Sequence, residues 1–353
     1  MKRAVLLLWC LRTVAVAQEA SSGFELRGTL TEAVNVSPAL EASPRSGARV
    51  AGGFRSVLYP TWKLSGHWSV SGAVQLYSRP YFIEEFATQG YGANGDILNA
   101  QLNYSRFWKR GSLVVRLGQM PSAFGSFLLR YDDAVNPLIF APMQYGYYYK
   151  PVSTNSMTGA QVDAVIGRLD ARAQFANSNP ANRRSVFDRD QYPNWAGGAG
   201  ITIRQGFRIG ASAYRGPYLD RHYAFYFPGE AKPRDLAGSG YGIDVQWGRG
   251  HWNVTGELQR FQMDYRAIRT FRQHTGYAEA RRVLHPRWYA AARAGYVRAS
   301  AFPGTDAYEM VAGYRPNRFQ LLKAGYQVQR GRAANTFAVQ FVTRFKAISI
   351  ARD

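Results

Sequence analysis

The charged side chains of this chain are mostly cationic, and many stand in segments where every second residue is polar. The chain has 353 residues, with 44 Lys and Arg against 23 Asp and Glu, and a formal net charge of +21 at pH 7. A guanidinium group binds a carboxylate or a phosphate through two parallel hydrogen bonds, so a surface rich in arginine favours anions. The alternative is that these cations pair with acidic residues and only stiffen the structure. The basic candidates for one shared surface are Arg27, Arg55, Lys63, Arg116, Arg172, Arg208, Arg293 and Lys323, and the acidic ones are Asp163, Asp170, Asp244 and Glu257.

Patterns that would indicate catalysis or metal binding are weak. The histidines His67, His222, His251, His274 and His285 are not spaced as a metal-binding pair on one strand face. A single cysteine excludes a disulfide scaffold, and the sequence contains neither a Gly-x-Ser-x-Gly nucleophile elbow nor a phosphate-binding glycine-rich loop. We therefore expect no enzyme activity, no cofactor and no metal. A hydrolase with a Ser/His pair on adjacent strands stays an alternative.

The first residues have the features of a secretory signal peptide. Lys2 and Arg3 give a positive start, residues 4–9 form an apolar run, and a small-x-small cleavage site ends at Ala17. We expect a signal peptide over residues 1–17 and a single exported domain over residues 18–353, the alternative being a frayed N-terminal helix. Export, together with basic residues spread along the chain rather than clustered, argues against a nucleic-acid-binding protein.

The rest of the chain alternates between polar and apolar residues over many short segments. In one such segment Trp252 and Leu258 belong to an apolar set, and Glu257 and Gln259 belong to the polar set. A period of two places one set on each face of a β-strand. The apolar sets are often aromatic at their ends, which is typical of the wall of an outer-membrane barrel, whereas a soluble β-sandwich needs fewer terminal Trp and Tyr. Comparable alternation covers residues 50–58, 68–76, 98–104, 288–296 and 337–345.

Short and long connections alternate along the chain, as they do in outer-membrane barrels. The pattern predicts an all-β fold, a transmembrane antiparallel β-barrel of about sixteen strands with a long in-folded third outer loop and both termini on the short-turn side. Counts of fourteen or eighteen strands stay open. Short turns are predicted around residues 65–66, 109–111, 167–168, 205–206, 248–250, 285–286 and 315–317. Longer connections are predicted near residues 37–48, 79–94, 120–154, 177–194, 216–237, 264–273, 299–306 and 330–334.

A barrel of this size is too wide for side chains to fill, so an aqueous channel is expected. The longest connection, about residues 120–154, is predicted to fold into the lumen and narrow it, the alternative being a loop packed over the rim. The tyrosines at 145 and 147–149 in this connection are interpreted either as packing residues or as rings that stack on sugars.

One stretch resembles a segment of bacterial porins. The run from Arg116 to Gly125, which contains Gln119-Met120-Pro121-x-x-Phe124, is followed by Asn136-Pro137 and is similar to the segment where porins leave the fifth strand for the constriction loop. The overall layout resembles the phosphate-selective porin group and related sixteen-stranded porins. This resemblance implies a trimeric outer-membrane channel whose third long loop sets the bore. The last alternating strand ends at Phe345 and is followed by a tail.

The sequence therefore predicts a porin of the bacterial outer membrane, a passive diffusion channel for small hydrophilic solutes with a preference for anions. The expected partners are outer-membrane lipid, lipopolysaccharide held by positive outer loops, small anionic or polar solutes, and two further copies of the chain in a homotrimer. The alternative is a barrel without a channel, either an adhesive or structural surface protein or a hydrolase. The remaining positive charge is assigned to turns and loops, at Lys109, Arg110, Arg281, Arg282 and Arg318. The predicted pore-lining and constriction residues are Arg27, Arg55, Arg116, Arg130, Asp132, Asp133, Tyr147, Lys150, Arg293 and Lys323.

Overall fold

The chain folds into a closed antiparallel β-barrel of sixteen strands, which confirms the expected fold class and strand count. In a computed structural model the described residues are 22–41, 47–82, 92–126, 132–145, 157–177, 193–218, 235–266, 269–300, 302–330 and 335–351. The signal peptide expected over residues 1–17 lies outside them. The strands are β1 (Gly23–Val36), β2 (Val50–Lys63), β3 (Trp68–Ser78), β4 (Ala93–Trp108), β5 (Gly111–Met120), β6 (Met157–Ile166), β7 (Leu169–Ala176), β8 (Asn194–Arg204), β9 (Phe207–Pro217), β10 (Ala237–Arg249), β11 (Trp252–Met263), β12 (Phe271–His285), β13 (Trp288–Ala299), β14 (Phe302–Tyr314), β15 (Gln320–Arg330) and β16 (Thr336–Ala351).

Each strand pairs with its sequence neighbours, and β1 pairs with β16 to close the ring. The connections β2–β3, β4–β5 and every second one after them are short, and they define one end of the barrel, called the turn side. The pairing of Gly23 with Ala351 places the start of β1 and the end of β16 at this same end. The other end, called the loop side, carries the longer connections, apart from the short one between β13 and β14. It also carries the short helix α1 (Pro38–Glu41) and two 3₁₀ turns, Arg79–Tyr81 and Met143–Tyr145.

The two faces of the wall differ in polarity, as the alternation predicts. On β1 the exposed Leu30 and Val34 alternate with the buried Thr31 and Asn35. Exposed Val, Leu, Ile and Trp side chains occupy the same face on the other strands. The opposite, polar face contacts residues of the β5–β6 connection from strands on both sides of the ring, as described below, and is therefore the inner face.

Two details of the predicted strands are wrong. Leu98, predicted to share a face with Ala100, is buried on the inner face against Val57, because a register shift between Ala73 and Val74 adds a residue to β4. Residues 299–306 are not a long connection, since β14 begins at Phe302. A proline at position 303 is tolerated there because it lies at the strand end, beside an irregularity in the pairing with β13.

The sequence leaves the role of the tail after Phe345 open, and strand pairing gives it one. The tail after Phe345 continues β16 to Ala351, and Ile348 and Ile350 pair with Leu26 and Phe24 of β1. The tail is therefore part of the closing seam of the barrel.

Among the described residues, no helix has the length and apolar character needed to cross a lipid bilayer.

Candidate functional site

The connection between β5 and β6 is bound to the inner wall at two places. At the first, the side chain of Gln174 on β7 donates to the Pro121 carbonyl (2.9 Å) and accepts from the Ala123 amide (3.0 Å). The next residue, Phe124, is fully buried and its ring lies 5.2 Å from that of Phe261 on β11. These contacts direct the chain inward as soon as β5 ends.

Glycines on β10 make room for this packing. A Cβ atom at Gly240 would lie 2.7 Å from the Phe261 ring and 3.5 Å from Phe124, and one at Gly242 would lie 3.5 Å from Phe124. Gly125 follows with a φ of +81°, a conformation that favours glycine. The guanidinium of Arg172 donates to the Gly125 carbonyl.

Glu257 on β11 joins the two described parts of the connection. The amide and hydroxyl of Ser126 donate to its carboxylate (3.2 and 3.1 Å), and so does the hydroxyl of Tyr145 (2.7 Å). Gln259 donates to both Glu257 (2.7 Å) and Tyr145 (2.9 Å). A buried carboxylate with this number of donors is a rigid attachment point.

The second attachment involves the acidic pair. Asp133 accepts from the hydroxyl of Thr31 on β1 (3.0 Å) and forms a 3.3 Å ion pair with Arg55 on β2. Asp132 accepts a hydrogen bond from the Tyr59 hydroxyl. Both carboxylates are thus bonded to the wall of β1 and β2.

Lys323 on β15 is fully buried beneath the same segment. Its Nζ donates to the backbone carbonyls of Asp133 (2.8 Å), Asn136 (3.0 Å) and Leu138 (3.0 Å). Three carbonyl acceptors satisfy the three donors of an ammonium group. The Asn136-Pro137 turn is therefore held by one cation.

Glu309 and Arg293 hold the next residues. The amides of Ile139 and Phe140 donate to Glu309 on β14 (2.9 and 3.0 Å). Arg293 on β13 donates to the Phe140 carbonyl (2.7 Å) and forms ion pairs with Glu279 (2.7 Å) and Glu309 (3.2 Å). This attachment occupies the arc from β13 through β16 and β1 to β2, across the ring from the first one.

The arc from β3 to β6 carries small neutral polar residues on its inner face. Asn103 donates to the Ser71 hydroxyl (2.9 Å), and Gln101 donates to the same hydroxyl (3.3 Å). The charged pair Arg116–Asp163 joins β5 and β6, with both side chains partly exposed. The arc also carries the carboxylate of Asp96, which accepts from the Gln75 amide (3.1 Å), and is a hydrophilic surface overall.

Three arginines gather on the turn side of the second attachment, and we call them the inner basic cluster. Arg344 on β16 donates to the Ala134 carbonyl (2.5 Å), and Arg281 on β12 lies over the ring of Tyr289, 5.9 Å from its centroid. Among the described residues, the buried Arg281 Nε has no hydrogen-bond partner. Arg315, in the β14–β15 turn, interacts electrostatically with both other arginines.

Comparisons with known proteins place this architecture. No protein-family model matches the chain, and no curated protein matches its sequence. A loop L8 deletion mutant of OmpT, an outer membrane protein of Vibrio cholerae, is 11% identical with a TM-score of 0.61, covering 92% of this chain and 100% of that chain. OmpF of Salmonella typhi, in complex with daunomycin, is 8% identical with a TM-score of 0.61, covering 93% and 100%. An anion-selective porin from Comamonas acidovorans is 10% identical with a TM-score of 0.55, covering 94% and 100%.

The chain has the fold of an outer-membrane porin. At these sequence identities the likeness to the solved porins concerns the fold alone. Within the described residues, no group of three or more His, Cys, Asp or Glu is arranged to hold a metal ion.

Within this porin fold the predicted site residues fall into separate groups. Arg55, Arg293 and Lys323 attach the connection to the wall, and the side chains of Arg55 and Lys323 are only 2% and 0% exposed. Arg27 is exposed near the turn side and pairs with Glu25 (2.8 Å). Asp132 and Asp133 are attachment residues, and Arg116 pairs with Asp163, as given above. Outside the described residues lie Arg130, Tyr147 and Lys150.

Several inner arginines pair with acidic residues, as the alternative interpretation of the sequence expects. Arg208 lies between Asp170 and Asp244, at 2.6 Å from each. Arg281 and Arg282, assigned from the sequence to a turn, lie within β12 instead. They point to opposite faces, and Arg282 lies 5.2 Å over the ring of Trp252 on the outer face.

Sequence reasoning missed Glu309, Gln174 and the inner basic cluster. Glu309 and Gln174 were identifiable only as polar members of an alternating strand. Their partners are 170 and 51 positions away in the chain, so no local pattern connects them.

Proposed function

We propose that this protein is a passive diffusion channel of the bacterial outer membrane, narrowed by the connection between β5 and β6. The observation that carries the proposal is the double attachment of that connection. Residues 121–126 bind β7, β9 and β11, and residues 132–140 bind β13 to β16, β1 and β2. Contacts with both arcs of the inner face support a path across the lumen rather than over the rim.

The water-filled path in this proposal runs along the arc from β3 to β6. A sixteen-stranded barrel is wider than its side chains can fill, so space is left beside the in-folded connection. Serine, asparagine and glutamine side chains on this arc offer hydrogen bonds without fixed charge. Small hydrophilic solutes cross down their gradient, and the path supplies no chemistry, enzyme activity or cofactor.

The preference of the channel is for anions. In support of this preference, the inner basic cluster of Arg281, Arg315 and Arg344 lies on the turn side of the constriction. Among the described residues, the buried Nε of Arg281 has no hydrogen-bond partner. Inward-facing cations favour anion passage. The solved neighbour from Comamonas acidovorans is described as anion-selective, and the sequence resembles the phosphate-selective group, so chloride and phosphate are the first test solutes.

The channel is proposed to be a homotrimer. The support is a structural neighbour, OmpT of Vibrio cholerae, described in a trimer form; it is 11% identical with a TM-score of 0.58. Outer-membrane lipid, including lipopolysaccharide, surrounds the assembly.

Single-channel recording in a planar bilayer under a salt gradient tests the proposal. Open steps with a reversal potential of the sign expected for anions support it. Protein that is folded and inserted but conducts no current contradicts the channel, and the adhesive or enzymatic barrel then becomes the better interpretation. Open steps with a cation-signed potential contradict the anion preference alone.

A pair of variants assigns the selectivity to the inner basic cluster. Replacing Arg281 and Arg315 by Gln is expected to move the anion-to-cation permeability ratio toward one. The matched control is Arg282→Gln, because Arg282 is the neighbour of Arg281 on the opposite face. The effect is expected to shrink between 0.1 M and 1 M salt, because the screening length falls from about 10 Å to about 3 Å. An unchanged ratio at 0.1 M salt would remove the cluster from the permeation path.

A further inference from the structure

The outer face of β9 to β12 carries an unusual group of cations near the loop side. Arg215, Arg260 and Arg272 are exposed there, on the face that also presents Ile209 and Ile243. Most outward positions of the wall are apolar, as suits a surface that meets lipid. These arginines therefore need an explanation beyond wall stability.

Strand register places the group in two adjoining rows. In the first row Arg215 pairs with Ser239, Ser239 with Gln262, and Gln262 with Arg272. Directly opposed residues have Cβ atoms about 4.5–5.5 Å apart, so each row is continuous.

The second row lies two residues nearer the middle of the wall. Tyr241 pairs with Arg260, and Arg260 pairs with His274. Ser239, Tyr241, Arg260 and Gln262 together line a shallow depression in the outer surface. We call the residues of both rows the outer-wall patch.

One carboxylate borders this patch, since Asp264 accepts from the Gln262 amide (3.3 Å), but it forms no ion pair with the patch arginines among the described residues. Among the described residues, no ion pair is formed by Arg215, Arg260 or Arg272. By contrast Arg298, on the next strand, pairs with Asp306 at 2.6 Å. A guanidinium on a lipid-facing wall is unfavourable unless an anion or water satisfies its donors.

The outward arginines near the loop side are concentrated on one part of the ring, from Arg215 on β9 to Arg330 on β15. At the same height on the outer face of β1, β2, β3 and β16 the exposed residues include Val36, Val50, Leu76 and Phe337. A general requirement of the rim would distribute cations around the whole ring. Their concentration on one part of the ring instead indicates a ligand with localised negative charge, and the patch on β9 to β12 is the part without an acidic ion-pair partner among the described residues.

We propose that the outer-wall patch binds the phosphate groups on the glucosamine headgroup of lipopolysaccharide in the outer leaflet. Arginine binds phosphate bidentately, and clusters of basic residues at this depth bind anionic lipid headgroups. The Ser239 and Tyr241 hydroxyls provide hydrogen bonds for sugar hydroxyls. The inference rests on the proposed outer-membrane location, with the loop side outward.

Lipid titration of the folded protein in detergent tests the site. Native mass spectrometry measures the binding of bisphosphorylated lipid A, monophosphoryl lipid A, phosphatidylglycerol and phosphatidylcholine. We expect the parent protein to bind the bisphosphorylated form most tightly. The variant carrying Arg215→Gln, Arg260→Gln and Arg272→Gln is expected to lose at least tenfold in affinity for that lipid. Equal binding of phosphatidylglycerol, or full competition by millimolar inorganic phosphate, would overturn the assignment.

A matched variant controls for charge. Arg106→Gln, Arg249→Gln and Arg282→Gln remove three exposed arginines at the turn side. Binding is expected to be unchanged in this control, and an equal loss would overturn the proposal by showing diffuse attraction. Circular dichroism verifies that both variants fold. The patch variant and the turn-side control are both expected to keep the conductance and reversal potential of the parent protein. Lipid binding therefore tests the patch, and single-channel recording tests the channel independently.

Discussion

At the scale of single residues, the buried charges of this barrel hold a loop in place. Lys323, Glu309 and Glu257 are each buried, and each binds backbone or hydroxyl groups of the β5–β6 connection. A buried charge is costly without partners, and these partners come from a segment that has no helix or strand of its own at those residues. The ionic groups and the loop conformation therefore depend on each other.

Replacing Lys323 by Met tests this dependence. The substitution keeps much of the side-chain volume but leaves the carbonyls of Asp133, Asn136 and Leu138 without their donor, at about 1–3 kcal/mol for each buried unpaired group. We expect a loosened connection, seen as larger and noisier open-channel current and faster proteolysis between β5 and β6. Lys63→Met, at an exposed lysine on β2, is the control and is expected to behave like the parent. Quiet, parental current from Lys323→Met would show that other contacts suffice.

At the scale of elements, the β5–β6 connection packs against the wall at positions where glycines leave space for aromatic rings. The ring of Phe124 packs near Gly240 and Gly242 of β10, where an added Cβ would come close to aromatic rings. Gly240→Ala is expected to displace Phe261 and weaken the first attachment, raising current noise and lowering the unfolding temperature. Gly248→Ala on the same strand has its nearest neighbour at 3.7 Å and is expected to be silent. Equal behaviour of the two variants would argue against this packing role.

The strands were predictable because each one alternates apolar residues, which face outward, with polar residues, which face inward. Alternation predicted the wall, and glycine and proline predicted most of the turns, so a count of about sixteen strands follows from local sequence. Leu98 was misplaced because a one-residue bulge inverts the alternation without a local signal. The attachment of Asp133 to Lys323 joins positions 190 residues apart, and only the closed ring brings them together.

At the scale of the whole molecule, the positive charge is divided between the two faces of the wall. Inside, Arg281, Arg315 and Arg344 gather on the turn side of the connection. Outside, the outer-wall patch gathers on the loop side of β9 to β12. The two groups lie at opposite ends of the barrel, so one is available to solutes and the other to lipid, and substitutions in one leave the other intact.

Closure of the ring depends on the last residues of the chain. Residues 346–351 pair with the start of β1, and Lys346 forms a 3.0 Å ion pair with Glu25. Truncation after Phe345 is expected to lower the unfolding temperature, at about 0.5–1.5 kcal/mol for each lost ladder hydrogen bond, because β1 would keep only its β2 partner there. Heat-dependent mobility on SDS gels and circular dichroism measure the shift. Removal of residues 352–353 alone is the control, and Lys346→Gln separates the ion pair from the backbone pairing. A truncated chain as stable as the control would mean that closure is complete by Phe345.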